Sequence, residues 1–264
     1  IYYITLSISF VKKHMSTIQK KIDLIILAGG KGSRISKHLK NIPKPLFKFD
    51  NKAFLQILVN HFSKYPFNKA YILAGHRGRQ IYNQFNNKNF NFLNFKCIIE
   101  KKSLGTAGCI AQLKNKITND FVVINGDSIL LEDINFIFKK KQNQNLVFLT
   151  KNKNYKSNKK LSNLNLDRKG KITPSSKGKL MNAGIYYFKK SLLDKIPLKK
   201  TSLENEIILK LIMSKKIIGH ESNNFFSDIG TDENLKFAKK NLSNVLKKKA
   251  CFLDRDGVIN YDYG

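Results

Sequence analysis

Apolar positions along this chain fall in short blocks whose spacing switches between two periods. Ile22-Asp23-Leu24-Ile25-Ile26-Leu27 is a nearly continuous apolar run, the pattern of a strand buried on both faces. Residues 53–63 instead place Phe54, Leu55, Leu58, Val59 and Phe62 at helical spacing. The same reading predicts strands over 71–74, 95–100, 121–127 and 146–150, with helices over 80–85 and 106–113. Strands that alternate with helices imply an α/β fold built on a mainly parallel, doubly wound sheet. Ligands of such sheets sit beyond the carboxyl ends of the strands. Gly29, Glu100 and Asp127 all fall at predicted carboxyl ends.

The pattern changes after Thr150. Residues 151–160 are a Lys/Asn-rich loop, 161–172 a hairpin and 183–188 another strand. An amphipathic helix over 203–213, a short strand over 225–230 and a terminal helix over 232–246 complete the reading. No internal repeat is present, and no stretch reaches the ~18 consecutive apolar residues of a membrane span.

Composition narrows the class. The chain has 264 residues, of which 42% are hydrophobic, enough for a sizeable globular domain. Its net charge of +31 raises the question of nucleic acid. Of 49 basic residues only five are arginine (Arg34, Arg77, Arg79, Arg168 and Arg255), and the lysines are scattered. Base and phosphate readout favours arginine forks, so a functional nucleic-acid partner is not expected, although non-specific polyanion binding at low salt is. His76, Arg77 and Arg79 read as surface residues. Three cysteines without metal-ligand spacing suit a reducing cytoplasm.

The chemistry concentrates after the first strand. Leu27-Ala28-Gly29-Gly30-Lys31-Gly32-Ser33-Arg34 places three glycines within four residues, and Pro43-Lys44-Pro45 follows. Glycines let backbone N–H groups approach a phosphate, while Arg34 and Lys44 supply positive charge. A Walker A loop is excluded because Gly32 follows Lys31. A dinucleotide fingerprint matches at Gly30 and Gly32 but has Ile35 at its third position. The two motifs together resemble the signature of the sugar-1-phosphate nucleotidyltransferases, L-A-G-G-x-G-[ST]-R followed by P-K-P.

That resemblance spans residues 22–240 and implies a Rossmann-like (GT-A-like) three-layer domain with a mainly parallel, mixed sheet. It implies a Mg²⁺ cofactor, with a nucleoside triphosphate and a sugar 1-phosphate as partners. It also implies direct transfer without a covalent enzyme intermediate. Within it, Arg34 and Lys44 are phosphate cations, and Leu27, Ala28, Gly29, Gly30, Gly32, Ser33, Gly105 and Thr106 cradle the nucleotide. Gly126-Asp127 and Asp228-Ile229-Gly230-Thr231 match the motifs that carry the metal-binding acids. Read alone, the less favoured alternatives are a helix N-cap or turn residue for Asp127 and a turn residue for Asp228. Glu100 with Leu104-Gly-Thr-Ala-Gly108 resembles the base and ribose segment, and Asn182-Ala183-Gly184 the sugar-side strand. Glu204 stands where the family has S-[LF]-E, with a solvated or capping role as the alternative.

One departure concerns the sugar. The family carries a Glu-Lys pair before the N-A-G strand, and distance places Ser176 and Lys177 there, so the cation remains and the acid is missing. Ser162-Asn163 likewise replaces a Tyr-Gly pair.

The ends are read as additions. Residues 1–14, apolar and then basic, are expected to be an upstream extension, with Met15 as the start of a domain reaching 246. Residues 247–264 contain Phe252-Leu-Asp254-Arg-Asp256-Gly257, which resembles the first motif of haloacid-dehalogenase-type phosphatases, with Asp254 as nucleophile and Asp256 as acid/base. The form is closest to heptose-bisphosphate and histidinol-phosphate phosphatases, and the chain before it looks most like heptose 1-phosphate guanylyltransferases. The leading expectation is therefore GTP plus D-glycero-α-D-manno-heptose 1-phosphate giving GDP-heptose and pyrophosphate. The rivals are glucose or mannose 1-phosphate with another nucleotide, and a catalytically silent sugar-nucleotide-binding domain.

Overall fold

The structure, a computed structural model, describes residues 20–139, 142–151 and 161–247. The expected extension over 1–14, most of the loop before 161, and the Asp254/Asp256 motif lie outside these residues.

The strands are β1 (Ile22–Ala28), β2 (Lys48–Phe49), β3 (Lys52–Ala53), β4 (Ala70–Ala74), β5 (Lys88–Phe90), β6 (Leu93–Ile99) and β7 (Asp120–Asn125). They continue as β8 (Ser128–Leu130), β9 (Asn145–Lys151), β10 (Leu164–Leu166), β11 (Ile172–Pro174), β12 (Leu180–Phe188), β13 (Ile217–Ser222) and β14 (Phe226–Asp228). The longer helices are α1 (Phe54–Phe62), α2 (Gly78–Phe85), α3 (Gly105–Ala111) and α4 (Asp232–Leu246).

Ten strands form one mixed sheet, ordered β11-β10-β12-β7-β1-β4-β6-β5, with β9 beside β12 and β13 beside β9. The parallel heart is β7-β1-β4-β6. The antiparallel β12 joins it at β7, pairing Ile185 with Ile124 and Phe188 with Phe121. Alternation along β1 explains the layers. Ile22, Leu24 and Ile26 face one core, which α1, α2 and α4 cover. Ile25 faces the other, which is covered by α3 and the segment after Leu203. Each face is thus buried, as a nearly continuous apolar run requires.

Several elements differ from expectation. The strand predicted over 183–188 starts at Leu180, with a register shift against β9 between Asn182 and Tyr186. β13 has no counterpart in the periodicity reading, because Gly219, His220 and Glu221 interrupt its apolar pattern. The helix expected over 203–213 opens as a π-helical segment, Leu203–Ile208, and becomes α-helical only over Leu209–Met213. Such segments are rare and are enriched at functional sites. Among the described residues, no helix is long and apolar enough to cross a membrane.

The amino end of β7 is tied down electrostatically. Asp120 accepts from the Tyr187 hydroxyl at 2.6 Å, Lys189 Nζ at 2.9 Å and the Lys190 backbone N–H at 2.8 Å. Lys20 Nζ approaches the same carboxylate at 2.5 Å. Burial by itself would raise this carboxyl, but these donors outweigh it and hold the group well below the usual carboxylate range. A depressed folded-state pKa stabilises the fold at every pH above the unfolded value, about 4, and the contribution fades as pH falls below it. Asp120→Asn is therefore expected to lower stability by about 2 kcal/mol at pH 7. Urea unfolding of both proteins should show that gap shrinking between pH 5 and pH 2, at roughly the range where carboxylates titrate.

Candidate active site

A cleft of about 590 Å³ opens beyond the carboxyl ends of β1, β6 and β7. Leu27, Gly29, Gly30, Lys44, Glu100, Gly105, Thr106, Gly126, Asp127, Asn182 and Gly184 all line it. The segments read from sequence as nucleotide and sugar sites therefore share one cavity.

The walls approach so closely that one glycine is obligatory and another stands tight against a carboxylate. A Cβ on Gly29 would stand 2.6 Å from Glu100 Oε1. One on Gly105, whose φ is +70°, would stand 2.5 Å from the Thr201 carbonyl oxygen. That carbonyl accepts from the Ala107 N–H at 3.0 Å, and Thr201 N–H donates to the Leu104 carbonyl at 2.9 Å. The Thr201 segment is therefore docked on the first turn of α3.

Charge is concentrated on one pair. Lys44 is only 7% exposed, and its Nζ lies 2.5 Å from Asp127 Oδ2. Asp127 leaves β7 just after the chain crosses Leu27, whose carbonyl accepts from the Gly126 N–H at 2.8 Å. β8 then pairs antiparallel with β14, setting Asp228 opposite Ser128, and the Ile229 N–H donates to the Asp127 carbonyl at 2.9 Å. A two-stranded ladder thus brings together two acids that are remote in sequence. Asp228 is buried beside the cleft, and its Oδ1 accepts from the Gly230 N–H at 2.8 Å and Asn234 Nδ2 at 2.7 Å. It is not the cap of α4, which Thr231 supplies through the Asn234 N–H, but its bond to the Gly230 N–H is the Asx turn that its sequence position allowed.

These donors fit the cofactor the family implies. Mg²⁺ takes hard oxygen ligands, commonly one or two carboxylates with substrate phosphates and water completing the shell. Asp127 and Asp228 are such carboxylates, and an ammonium already lies against the first of them. Among the described residues, no group of three or more His, Cys, Asp or Glu could by itself hold a metal ion.

Other expected residues lie outside the cleft lining. Arg34 and Ser33 are exposed on a 3₁₀ turn, and Ala28 is buried under the loop. Gly32 packs against Leu39 and Lys44. Ser176 and Lys177 are exposed on the turn between β11 and β12. The short helix after Arg34 is fastened to α4, where Lys37 pairs with Asp232 and His38 Nε2 lies 3.0 Å from Asp232 Oδ1.

The far wall carries residues that the motifs did not single out. Asn125 precedes Gly126-Asp127, and Cys109 lies one turn into α3. Burial, and then the nearby Glu100, push the Cys109 thiol up and leave it a poor nucleophile. Burial also raises the Glu100 carboxyl, against an offsetting hydrogen bond from Leu104. Glu204 faces the same cavity, and the capping role belongs elsewhere. The Ser202 hydroxyl accepts from the Asn205 N–H at 3.1 Å, while Glu206 Oε1 accepts from the Ser202 N–H at 2.7 Å.

The sequence profile of the family described as Nucleotidyl transferase matches residues 23–244, which is most of the chain and every element around this cleft. The chain belongs to the nucleotidyl transferase family. Among relatives of this nucleotidyltransferase is the D-glycero-alpha-D-manno-heptose 1-phosphate guanylyltransferase of Aneurinibacillus thermoaerophilus. It is 27% identical over 233 residues, covering 85% of this chain and 100% of that one. The bifunctional protein GlmU of Methanococcus vannielii is 28% identical over 228 residues, but this chain spans only 52% of its length. In fold, the chain matches the crystal structure of HddC from Yersinia pseudotuberculosis with a TM-score of 0.69 at 22% identity, covering 84% of this chain and 99% of that one. The matched segment ends before the phosphatase-like residues Asp254 and Asp256.

Gly105→Ala tests the docking of the far wall. The new methyl meets backbone in a conformation side chains rarely adopt, so a loss of about 2 kcal/mol or more is expected. Chemical denaturation of purified wild type and variant measures it.

Proposed function

We propose that this enzyme joins a nucleoside triphosphate to a sugar 1-phosphate, giving a nucleotide sugar and pyrophosphate. The favoured pair is GTP with D-glycero-α-D-manno-heptose 1-phosphate. The reading rests on the buried Lys44–Asp127 pair at the glycine-lined cleft, beside Asp228. In the reaction, a phosphate oxygen of the sugar 1-phosphate attacks the α-phosphorus, and the bond to the β-phosphate oxygen breaks in line. Both reactants are anions, so the task is to gather positive charge without losing the geometry.

Mg²⁺ held by Asp127 and Asp228 supplies divalent charge against the phosphates when bound. Lys44 adds a fixed cation from the first loop, its direction set by Asp127. Gly29 and Gly30 line the wall along which the triphosphate would lie, and Arg34, exposed on its 3₁₀ turn, is the further cation of the same loop. Lys177, on its exposed turn, would need to fold inward to meet a phosphate.

Two observations favour guanine and heptose. The Aneurinibacillus relative, matched over its whole length, is named for that reaction. Glu100 also presents a carboxylate at the cleft wall. An ionised carboxylate only accepts, and guanine offers adjacent N1–H and N2–H donors.

Lys44→Ala and Asp127→Asn are each expected to lower turnover by at least about a hundredfold while leaving the fold intact. Pyrophosphate release is the measurement, run with each nucleoside triphosphate against heptose, mannose and glucose 1-phosphates. Release with GTP and heptose 1-phosphate alone supports the full reading. Release with another pair keeps the reaction and replaces the substrates, and near-wild-type rates in both variants would remove these residues from the chemistry.

A further inference from the structure

We propose that Glu204 is the carboxylate that accepts hydrogen bonds from the hydroxyl groups of the sugar 1-phosphate. The inference rests on the reaction proposed above and names the group that selects its sugar.

Sugar hydroxyls are recognised most strongly by ionised acceptors held in place beforehand. The resemblance would seek such an acid just before the N-A-G strand, but Ser176 stands there, exposed and outside the cleft lining. Asn182 does line the cleft, yet both ends of its amide are engaged within the protein. Its Nδ2 donates to the Tyr186 hydroxyl at 2.5 Å, and its Oδ1 accepts from the Gly184 N–H at 2.9 Å. Among the acids of the lining, Asp127 is paired with Lys44, and Glu100 stands against the glycine loop. Glu204 is the acid of the remaining wall.

Its carboxylate is already aimed. Thr106 Oγ1 donates to Oε2 at 3.1 Å, and Asn125 Nδ2 lies 3.3 Å from Oε1. Thr106 is itself oriented by the Leu203 N–H, 2.7 Å from its hydroxyl oxygen. The carboxylate is therefore held between α3 and the end of β7, immediately before Gly126-Asp127. Each oxygen retains a second lone pair, so the group can take two further donors without giving up its supports. The π-helical turn of Leu203–Ile208 carries this residue into the cleft while Leu203 and Ile208 stay buried.

A ribose offers the same chemistry, so the test must separate the two. Steady-state pyrophosphate release is measured for wild type and Glu204→Gln, varying nucleotide and sugar 1-phosphate independently. The amide keeps the size of the side chain and removes its charge. The expected result is a KM for sugar 1-phosphate raised about tenfold or more, with the KM for nucleotide changed less than about twofold. Glu204→Asp, which restores the charge, should recover part of the loss. An unchanged KM for sugar phosphate, or an equal rise for the nucleotide, overturns the assignment.

Direct calorimetric titration with heptose 1-phosphate and glucose 1-phosphate separates this inference from its parent. If the wild type releases no pyrophosphate with any pair, the proposed reaction fails. Weaker sugar-phosphate binding by the glutamine variant would still support Glu204, whereas equal binding, or none by wild type, would overturn it.

Discussion

A lysine held almost out of water must have a carboxylate within reach, and this need organises the centre of the molecule. Lys44 comes from the loop that follows β1, whereas Asp127 comes from the end of β7. Neighbouring parallel strands bring their carboxyl ends side by side, so the sheet satisfies the lysine and builds the cleft at once. Asp127 keeps 26% of its side chain exposed, so water still reaches the acid of the pair and either partner can be replaced without stranding a fully buried charge. A cation and two acids gathered this tightly are expensive unless anionic ligands and metal use them, which is why the pair speaks for chemistry more than for stability.

The second acid shows what the ladder between β8 and β14 contributes. These are strands of three residues each, too short to matter for the core. Their effect is positional: three residue pairs fix Asp228 opposite Ser128. Asn234 and the Gly230 N–H then hold the side chain from the side of α4. The terminal helix, polar on one face and apolar on the other, thereby becomes part of the site's support.

Much of this was legible in the sequence. β1, β4 and β7 announce themselves because they are buried on both faces, so most of their residues are apolar, whereas β6 shows the half-buried alternation, with Asn94 and Lys96 exposed between buried neighbours. The motif residues at their ends follow from that placement. β13 was hidden because it is half-buried and lies beyond the parallel heart, where glycine, histidine and glutamate are tolerated. β8 was hidden because three residues are too few to show a period. Glu204 was ambiguous because a carboxylate just after a helix start has two ordinary explanations. Only the placement of Ser202 and Glu206 shows that the cap is already supplied. The positions of Arg34 and Lys177, on exposed turns, depend on loop paths that periodicity does not describe.

The two ends of β7 carry different burdens. At its start, Asp120 gathers lysines and a tyrosine hydroxyl into an anchor; at its finish, the chain turns into Gly126 and Asp127 at the cleft. The length of a whole strand lies between them. Adaptation can therefore retune rigidity at one pole while the other stays fixed. A lineage moving to hotter or saltier surroundings could rework the anchor's lysines without disturbing substrate choice, and a change of sugar could arise at the cleft without unravelling the sheet.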